Sequence, residues 1–329
     1  MPAVDTASPR PQNAPSTAFP VTRRKKRMLV IVNPYATTVS NRLKNLVVYA
    51  LQGRYAVSAV ETEARYHATD LGRAAAGDYD VVVAFGGDGT VNEAANGLAG
   101  SDTPLTCLPG GATNVVCRTL GIPTDVVDAT EHLLQMADDF RPFRVDLGRV
   151  NGRHFVFGSG IGLDASVVER VDRHPHLKAR LGEWYFTYAA FAIFSRRYLV
   201  RAPRVSVETD GQAVEAVTMV AQNSDPFTYF GNRPIRLAEA AGLDTGSLSL
   251  TVLKRATPFE LPTLVPRLFS SRPRVVQRHR QVQGFTGVSE ARVTAIGELP
   301  FPLQVDGDYV GTFREARYGV MPRGLTVVA

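Results

Sequence analysis

Phe85-Gly86-Gly87-Asp88-Gly89-Thr90-Val91-Asn92-Glu93 is the stretch on which the reading of this chain turns. The apolar run before it, residues 81–85, reads as a strand buried on both faces within a parallel sheet. Glycines at 86, 87 and 89 then demand a tight turn and let another group approach the backbone closely. The one side chain left in that turn is the carboxylate of Asp88. Thr90 is expected to open a helix, with Glu93 at the capping-box spacing. Strand, acid-bearing glycine turn and helix N-terminus together form an anion site with a carboxylate to partner a metal ion. A Gly-Gly turn alone is ordinary and Glu93 reads first as a cap. Asp88 reads as functional, because a ligand-free turn gains little from an acid between glycines.

Outward from this segment the pattern alternates. Strands are expected at 28–32, 55–62, 81–85 and 105–108, with helices at 41–52, 70–76, from Thr90, at 113–120 and at 126–136. Such alternation implies a parallel sheet covered by helices on both faces, with ligands at the carboxyl ends of its strands. Three loops fall at such ends: Asn33-Pro34, the Gly86 turn, and Pro109-Gly110-Gly111-Ala112-Thr113-Asn114. From about residue 143 the period shifts to short strands separated by turns such as Asn151-Gly152 and Asp210-Gly211. The expected fold class is therefore α/β plus all-β. Residues 1–26 form a disordered basic tail, 27–140 an α/β nucleotide-binding domain with a parallel sheet, and 141–329 an antiparallel β-sandwich domain whose last residues return to the first.

Gly-Gly-Asp-Gly-Thr, followed by Asn92-Glu93 and Asn96-Gly97-Leu98, resembles the nucleotide-binding loop of the diacylglycerol kinase family of lipid kinases. That family shares a superfamily with sphingosine kinases, NAD kinases and phosphofructokinases. Residues 111–123, with Asn114 and Arg118, resemble a second segment of the same family, although Ala112 and Thr113 depart from its usual order. Asn33-Pro34 resembles the motif that opens the family's nucleotide site. Asp306-Gly307-Asp308 resembles its Asp-Gly-Glu, and the resemblance makes Asp306 the candidate general base. A hairpin Asp-Gly turn is the plain alternative there. Asp244-Thr245-Gly246 is similar to a family segment that holds a second, structural metal, with Thr245 in place of one acid. Asp164 fits an inner β-domain segment, where packing is its expected role.

The resemblance implies ATP and Mg²⁺, a lipid alcohol acceptor with diacylglycerol foremost, and a phospholipid product. Catalysis is expected from Asp306 and Asp88, whose roles the sequence leaves exchangeable, and the metal from Asp88 and Asp244. The nucleotide is expected on Asn33, Pro34, Gly86, Gly87, Asp88, Gly89, Thr90, Glu93, Gly110, Gly111, Thr113, Asn114 and Arg118. An NAD kinase-like enzyme and a non-catalytic, nucleotide-responsive membrane binder are the alternatives. No Gly-x-x-x-x-Gly-Lys-Ser/Thr, Cys-x-x-Cys or His-Glu-x-x-His occurs in the sequence, which sets aside P-loop and simple zinc chemistry.

The chain has 329 residues, enough for two cores, with a net charge of +6 that suits an anionic partner. Its basic residues are scattered without a reading motif, so nucleic acid is not expected. Cys107 and Cys117 suggest a reduced compartment and not a disulfide scaffold. No apolar run reaches the ~20 residues of a membrane span, and the basic run at 23–27 lacks the look of a signal peptide. A cytoplasmic protein, peripheral at the inner membrane face, is expected; the sequence leaves a homodimer open. Trp184, Tyr188, Phe191 and Tyr198 at helical spacing, flanked by cations, suggest either a packed helix or an interfacial one. Leu261, Leu264, Leu268 and Phe269 near Arg267, Arg272 and Arg274 form a weaker second candidate.

Overall fold

A computed structural model describes residues 24–172, 203–238, 240–257, 259–270 and 275–329. The aromatic stretch at 184–198, the tail before residue 24, and Arg272 and Arg274 lie outside the described residues.

The first half alternates strand and helix as expected. β1 (Arg27–Val32), α1 (Asn41–Gln52), β2 (Ala56–Glu61), α2 (His67–Ala75), β3 (Val81–Gly86), α3 (Asp88–Leu98), β4 (Leu105–Pro109), α4 (Val115–Thr119) and α5 (Val126–Met136) follow one another. β2, β1, β3 and β4 pair in that order, all parallel. Every residue of β3 and β4 is buried because helices cover both faces of the sheet, which is why their sequences show no alternation. The N-cap residue's own side chain starts α1 and α5: Ser40 Oγ accepts the Leu43 N–H, and Asp125 accepts from Val127 and Asp128. α2 and α3 cross closely at Gly97, where a Cβ would stand 2.3 Å from the Thr69 carbonyl oxygen. That contact explains a glycine inside a helix.

The second half contains β5 (Phe143–Val150), β6 (Arg153–Phe155), β7 (Gly158–Gly162), α6 (Leu163–Asp172), β8 (Arg204–Thr209), β9 (Gln212–Ala216), β10 (Thr218–Gln222), β11 (Thr228–Phe230), β12 (Arg233–Ile235), β13 (Leu248–Leu253), α7 (Leu261–Leu268), β14 (Val282–Val288), β15 (Glu290–Ile296), β16 (Phe301–Val305), β17 (Asp308–Phe313) and β18 (Glu315–Val327). A six-stranded antiparallel sheet runs β14-β13-β10-β7-β16-β17. It packs on the β18-β15-β8 part of the larger sheet through Ile161, Met219, Leu250, Phe301, Val207, Val293 and Tyr318, which makes the antiparallel sandwich.

The larger sheet is mixed and not purely parallel. β18 runs beside β4 in parallel at Val327, and antiparallel to β5 and β15 along the rest of its length. Cys107 on β4 and Cys117 on α4 are both buried and free, with their sulfurs 3.0 Å apart. Among the described residues no helix is long and apolar enough to cross a membrane.

Candidate active site

The carboxyl ends of β1, β3 and β4 lie side by side, so the loops that follow them meet. Asn33 donates its N–H to Phe85 O at 2.9 Å, and its Nδ2 to Thr90 Oγ1 at 3.1 Å. Its Oδ1 accepts the Tyr35 N–H at 3.0 Å, which folds Asn33-Pro34 into an Asx turn. Gly110 N–H donates to Gly86 O at 2.8 Å, and Thr38 N–H to Gly110 O at 3.2 Å. A Cβ on Gly110 would sit 2.7 Å from Gly86 Cα, and one on Gly111 2.8 Å from Gly87 Cα. The glycines are thus required by backbone crossing, and the three loops form one assembly.

α3 starts at Asp88, with Gly87 at its N-cap and no side chain capping it. Thr90 therefore lies inside the first turn and does not open the helix. Its hydroxyl holds Asn33 instead. Gly87 has no side chain with which to cap α3, and the helix N-terminus carries the positive end of the dipole, the usual receptor for phosphate. Asp88 Oδ1 accepts the Val116 N–H at 3.1 Å, which fixes α4 against α3. Glu93 is a cap, though for another helix than expected. Its carboxylate accepts the N–H groups of Tyr66 (2.8 Å) and Ala68 (3.3 Å) at the start of α2. Asn114, left-handed at φ 50°, exchanges two hydrogen bonds with Gly111 and so shapes the second glycine loop from inside. Thr113 stands half-buried beside it. Arg118 reaches the β11–β12 hairpin, donating to Gly231 O and Asn232 Oδ1 and stacking 4.6 Å from the Tyr229 ring.

The far wall comes from the second half. Asn92 and Asn96, one turn apart on α3, both donate to His154 O on β6, and Asn96 Oδ1 accepts the His154 N–H. Burial, with Arg149 nearby, keeps the His154 ring below the ordinary histidine range. Asn92 Nδ2 also donates to Asp306 Oδ2 at 2.8 Å.

Asp306 and Gly307 form the two-residue turn between β16 and β17, at φ 47° and 83°, the left-handed pair of a tight hairpin, and Asp308 is the first residue after it. Asp306 is 2% exposed. Its Oδ1 accepts Phe157 and Gly158 N–H, both at 3.0 Å, while Oδ2 accepts Val156 N–H at 2.7 Å besides Asn92. Burial pushes its carboxyl up to about 6, against the pull of those four donors. The acid expected to face the substrate is instead turned inward and fully engaged.

Asp308 lies on the other side of the turn, against α3: a Cβ on Gly89 would come within 2.7 Å of Asp308 Oδ2. It is about one-third exposed, and the Arg153 guanidinium stands 3.7 Å away. Arg153 Nη2 donates to Asn92 Oδ1 at 2.9 Å. Arg153 carries no local sequence signal beyond following the Asn151-Gly152 turn. Asn92 and Asn96, at i,i+4 spacing, share one helix face, and that face meets β6.

Asp244 is exposed on the loop before β13. Asp146 shapes that loop by accepting Gly246 N–H at 2.6 Å and Arg323 N–H at 2.7 Å. Among the described residues no group of three or more His, Cys, Asp or Glu gathers to hold an ion, at Asp244 or at Asp88.

Comparison with known proteins bears on the same two halves. Residues 27–147 match the diacylglycerol kinase catalytic domain, and residues 159–329 match the YegS C-terminal NAD kinase beta sandwich-like domain. A diacylglycerol kinase of Bacillus subtilis is 30% identical over 87% of this chain and 91% of its own length. One from Staphylococcus haemolyticus is 26% identical over 87% of this chain and 83% of its own. A crystal structure of a candidate diacylglycerol kinase from Bacillus anthracis superposes with a TM-score of 0.71 at 25% identity, covering 93% of this chain and 97% of that one.

Proposed function

The chain belongs to the diacylglycerol kinase family and is a lipid kinase, and from that premise we propose that it transfers the γ-phosphoryl group of ATP to the hydroxyl of diacylglycerol or a closely related lipid alcohol. The observation that carries this reading is the placing of Asp308 against Gly89, at the first turn of α3. An acid and a phosphate receptor thereby share one spot.

Phosphoryl transfer asks mainly for positioning and charge neutralisation. The N–H groups of α3 and the crossed glycine loops receive the phosphates. Asn33, Thr90 and Asn114 hold those loops in shape and need not touch the nucleotide. Asp308 accepts the proton of the acceptor hydroxyl as its oxygen bonds to the γ-phosphorus and the bond to the ADP oxygen breaks. This assignment moves the base from Asp306 to Asp308, since Asp306 is buried and both its oxygens are turned towards the N–H groups of Val156, Phe157, Gly158 and Asn92 and away from an acceptor hydroxyl. Arg153 stands 3.7 Å from Asp308, the proposed base.

Magnesium suits Asp88, because that ion binds with substrate phosphates through one or two carboxylates. It would neutralise phosphate charge during transfer. No ion is assigned to Asp244.

The test is transfer of labelled γ-phosphate from Mg·ATP to diacylglycerol, sphingosine, ceramide and NAD offered in parallel. Label in the diacylglycerol product supports the proposal. Label in another lipid corrects the acceptor, and label in NADP replaces the lipid reading altogether. Binding of ATP without turnover on any acceptor would favour a non-catalytic membrane binder.

A further inference from the structure

Residues 254–280 hold seven lysines and arginines and one acid, Glu260, so this segment carries a net charge equal to the +6 of the whole chain. Everything else in the protein is balanced. The single acid is turned inward: Glu260 is buried, with Arg280 Nη2 at 2.6 Å and His279 Nε2 at 3.2 Å. Lys254, Arg255, Arg267 and Arg278 therefore set the sign of the surface.

The same segment exposes apolar side chains. α7 packs Leu264 and Leu268 onto Val217, Leu253, Val276 and Val282. Phe259, Val265 and Phe269 remain 86%, 43% and 40% exposed. Elsewhere among the described residues the exposed large apolar side chains are scattered, with Leu46 and Tyr49 of α1 the one pair close in sequence. Here three fall within eleven residues, among cations.

We propose that this face, formed by Phe259, Val265 and Phe269 with Lys254, Arg255, Arg267 and Arg278, docks on the anionic surface of a lipid bilayer. The inference rests on the lipid acceptor of the proposed function, since a long-chain diacylglycerol resides in a bilayer. A nucleic acid would use the cations and leave Phe259 in water. A membrane interface takes both, with aromatics at the acyl boundary and cations at the head groups.

The surface is also wired to the nucleotide loops. The Phe269 ring meets Phe230 edge-on at 5.7 Å, on the β11–β12 hairpin. Tyr229 of that hairpin lies under Arg118 of α4, the helix that Asp88 holds through Val116 N–H.

The experiment is co-sedimentation with vesicles of phosphatidylcholine alone and of phosphatidylcholine and phosphatidylglycerol in equal parts. The wild type should pellet with the anionic vesicles, less so as salt rises, and should stay in solution with the neutral ones. The triple variant Phe259→Ser, Arg255→Glu, Arg278→Glu should bind at least about tenfold more weakly, and should phosphorylate dispersed short-chain diacylglycerol at the wild-type rate. Equal binding by variant and wild type would overturn the proposal. So would equal pelleting on neutral vesicles, or loss in the variant of duplex DNA binding alone. A wild type inactive on short-chain diacylglycerol would overturn the lipid acceptor, and the vesicle result would still decide the docking face by itself.

Discussion

Replacing Asp306 by alanine separates the two roles that an acid at this position could have. The substitution leaves four buried N–H groups without an acceptor, those of Val156, Phe157 and Gly158 and the amide of Asn92. An unpaired buried donor costs about 1–3 kcal/mol, and an alanine at φ 47° adds about 1 kcal/mol of backbone strain. Such contributions are not additive, and removal of the charge refunds part of its desolvation. A loss of about 4 kcal/mol at neutral pH is the expected net, a large part of a typical 5–15 kcal/mol. The dependence on pH has a definite sign. The carboxyl titrates near 6 in the fold against 3.8 in an unfolded chain, so the folded state holds its proton more tightly. The stability this provides is complete below about pH 4 and is lost as pH rises towards 6, by about 3 kcal/mol over those two units. The gap between wild type and variant should therefore widen on acidification. Urea unfolding followed by circular dichroism at pH 4.5, 6 and 7.5 would measure it. A variant as stable as wild type with turnover abolished would refute the reasoning and return the role of base to Asp306, and a gap that narrowed in acid would refute the sign.

Asp308→Asn should do the opposite, lowering kcat by about 10²–10⁴ with an unchanged urea midpoint, because this side chain is partly exposed. Asp88→Asn can keep an oxygen for the Val116 N–H, so the fold should survive while turnover falls more than about a hundredfold; near wild-type turnover would remove Asp88 from the site. Gly110→Ala drives a methyl to 2.7 Å from Gly86 Cα, which should cost about 1–3 kcal/mol and weaken ATP binding in calorimetry. Cys107 and Cys117 should resist Ellman's reagent in the native protein and both react in guanidinium, because their mutual hydrogen bond, and then burial, push the Cys107 thiol well above its usual range.

Much of the first half was legible because its signals are local. The run at 81–85 is apolar throughout since both faces of β3 are covered, and the glycines after it mark where two loops cross. Partner choice was not legible. Glu93 has the right spacing to cap its own helix, yet it meets α2, brought near by the close crossing at Gly97. Asp306 and Asp308 are two residues apart, and only the left-handed conformation of Asp306 and Gly307 decides which acid is turned inward. In the second half the signals are weaker, since Gly319, Pro322 and Gly324 interrupt the pattern of β18, and Gly284 and Gly287 that of β14. Arg153 acquires its meaning only through contact with Asn92 and Asp308, residues distant in the chain.

β18 carries a consequence for the order of assembly. It is the last strand in the sequence, yet it lies between β4, β5 and β15. During synthesis the parallel strands emerge first, and the open edge of β4 has no lasting neighbour until some two hundred further residues have been made. Contacts of such separation form slowly and leave strand edges open to stray pairing. The nucleotide half cannot be finished by itself, so a ribosome that stalls before residue 315 should release a chain fit for chaperones and proteases and unfit to bind ATP.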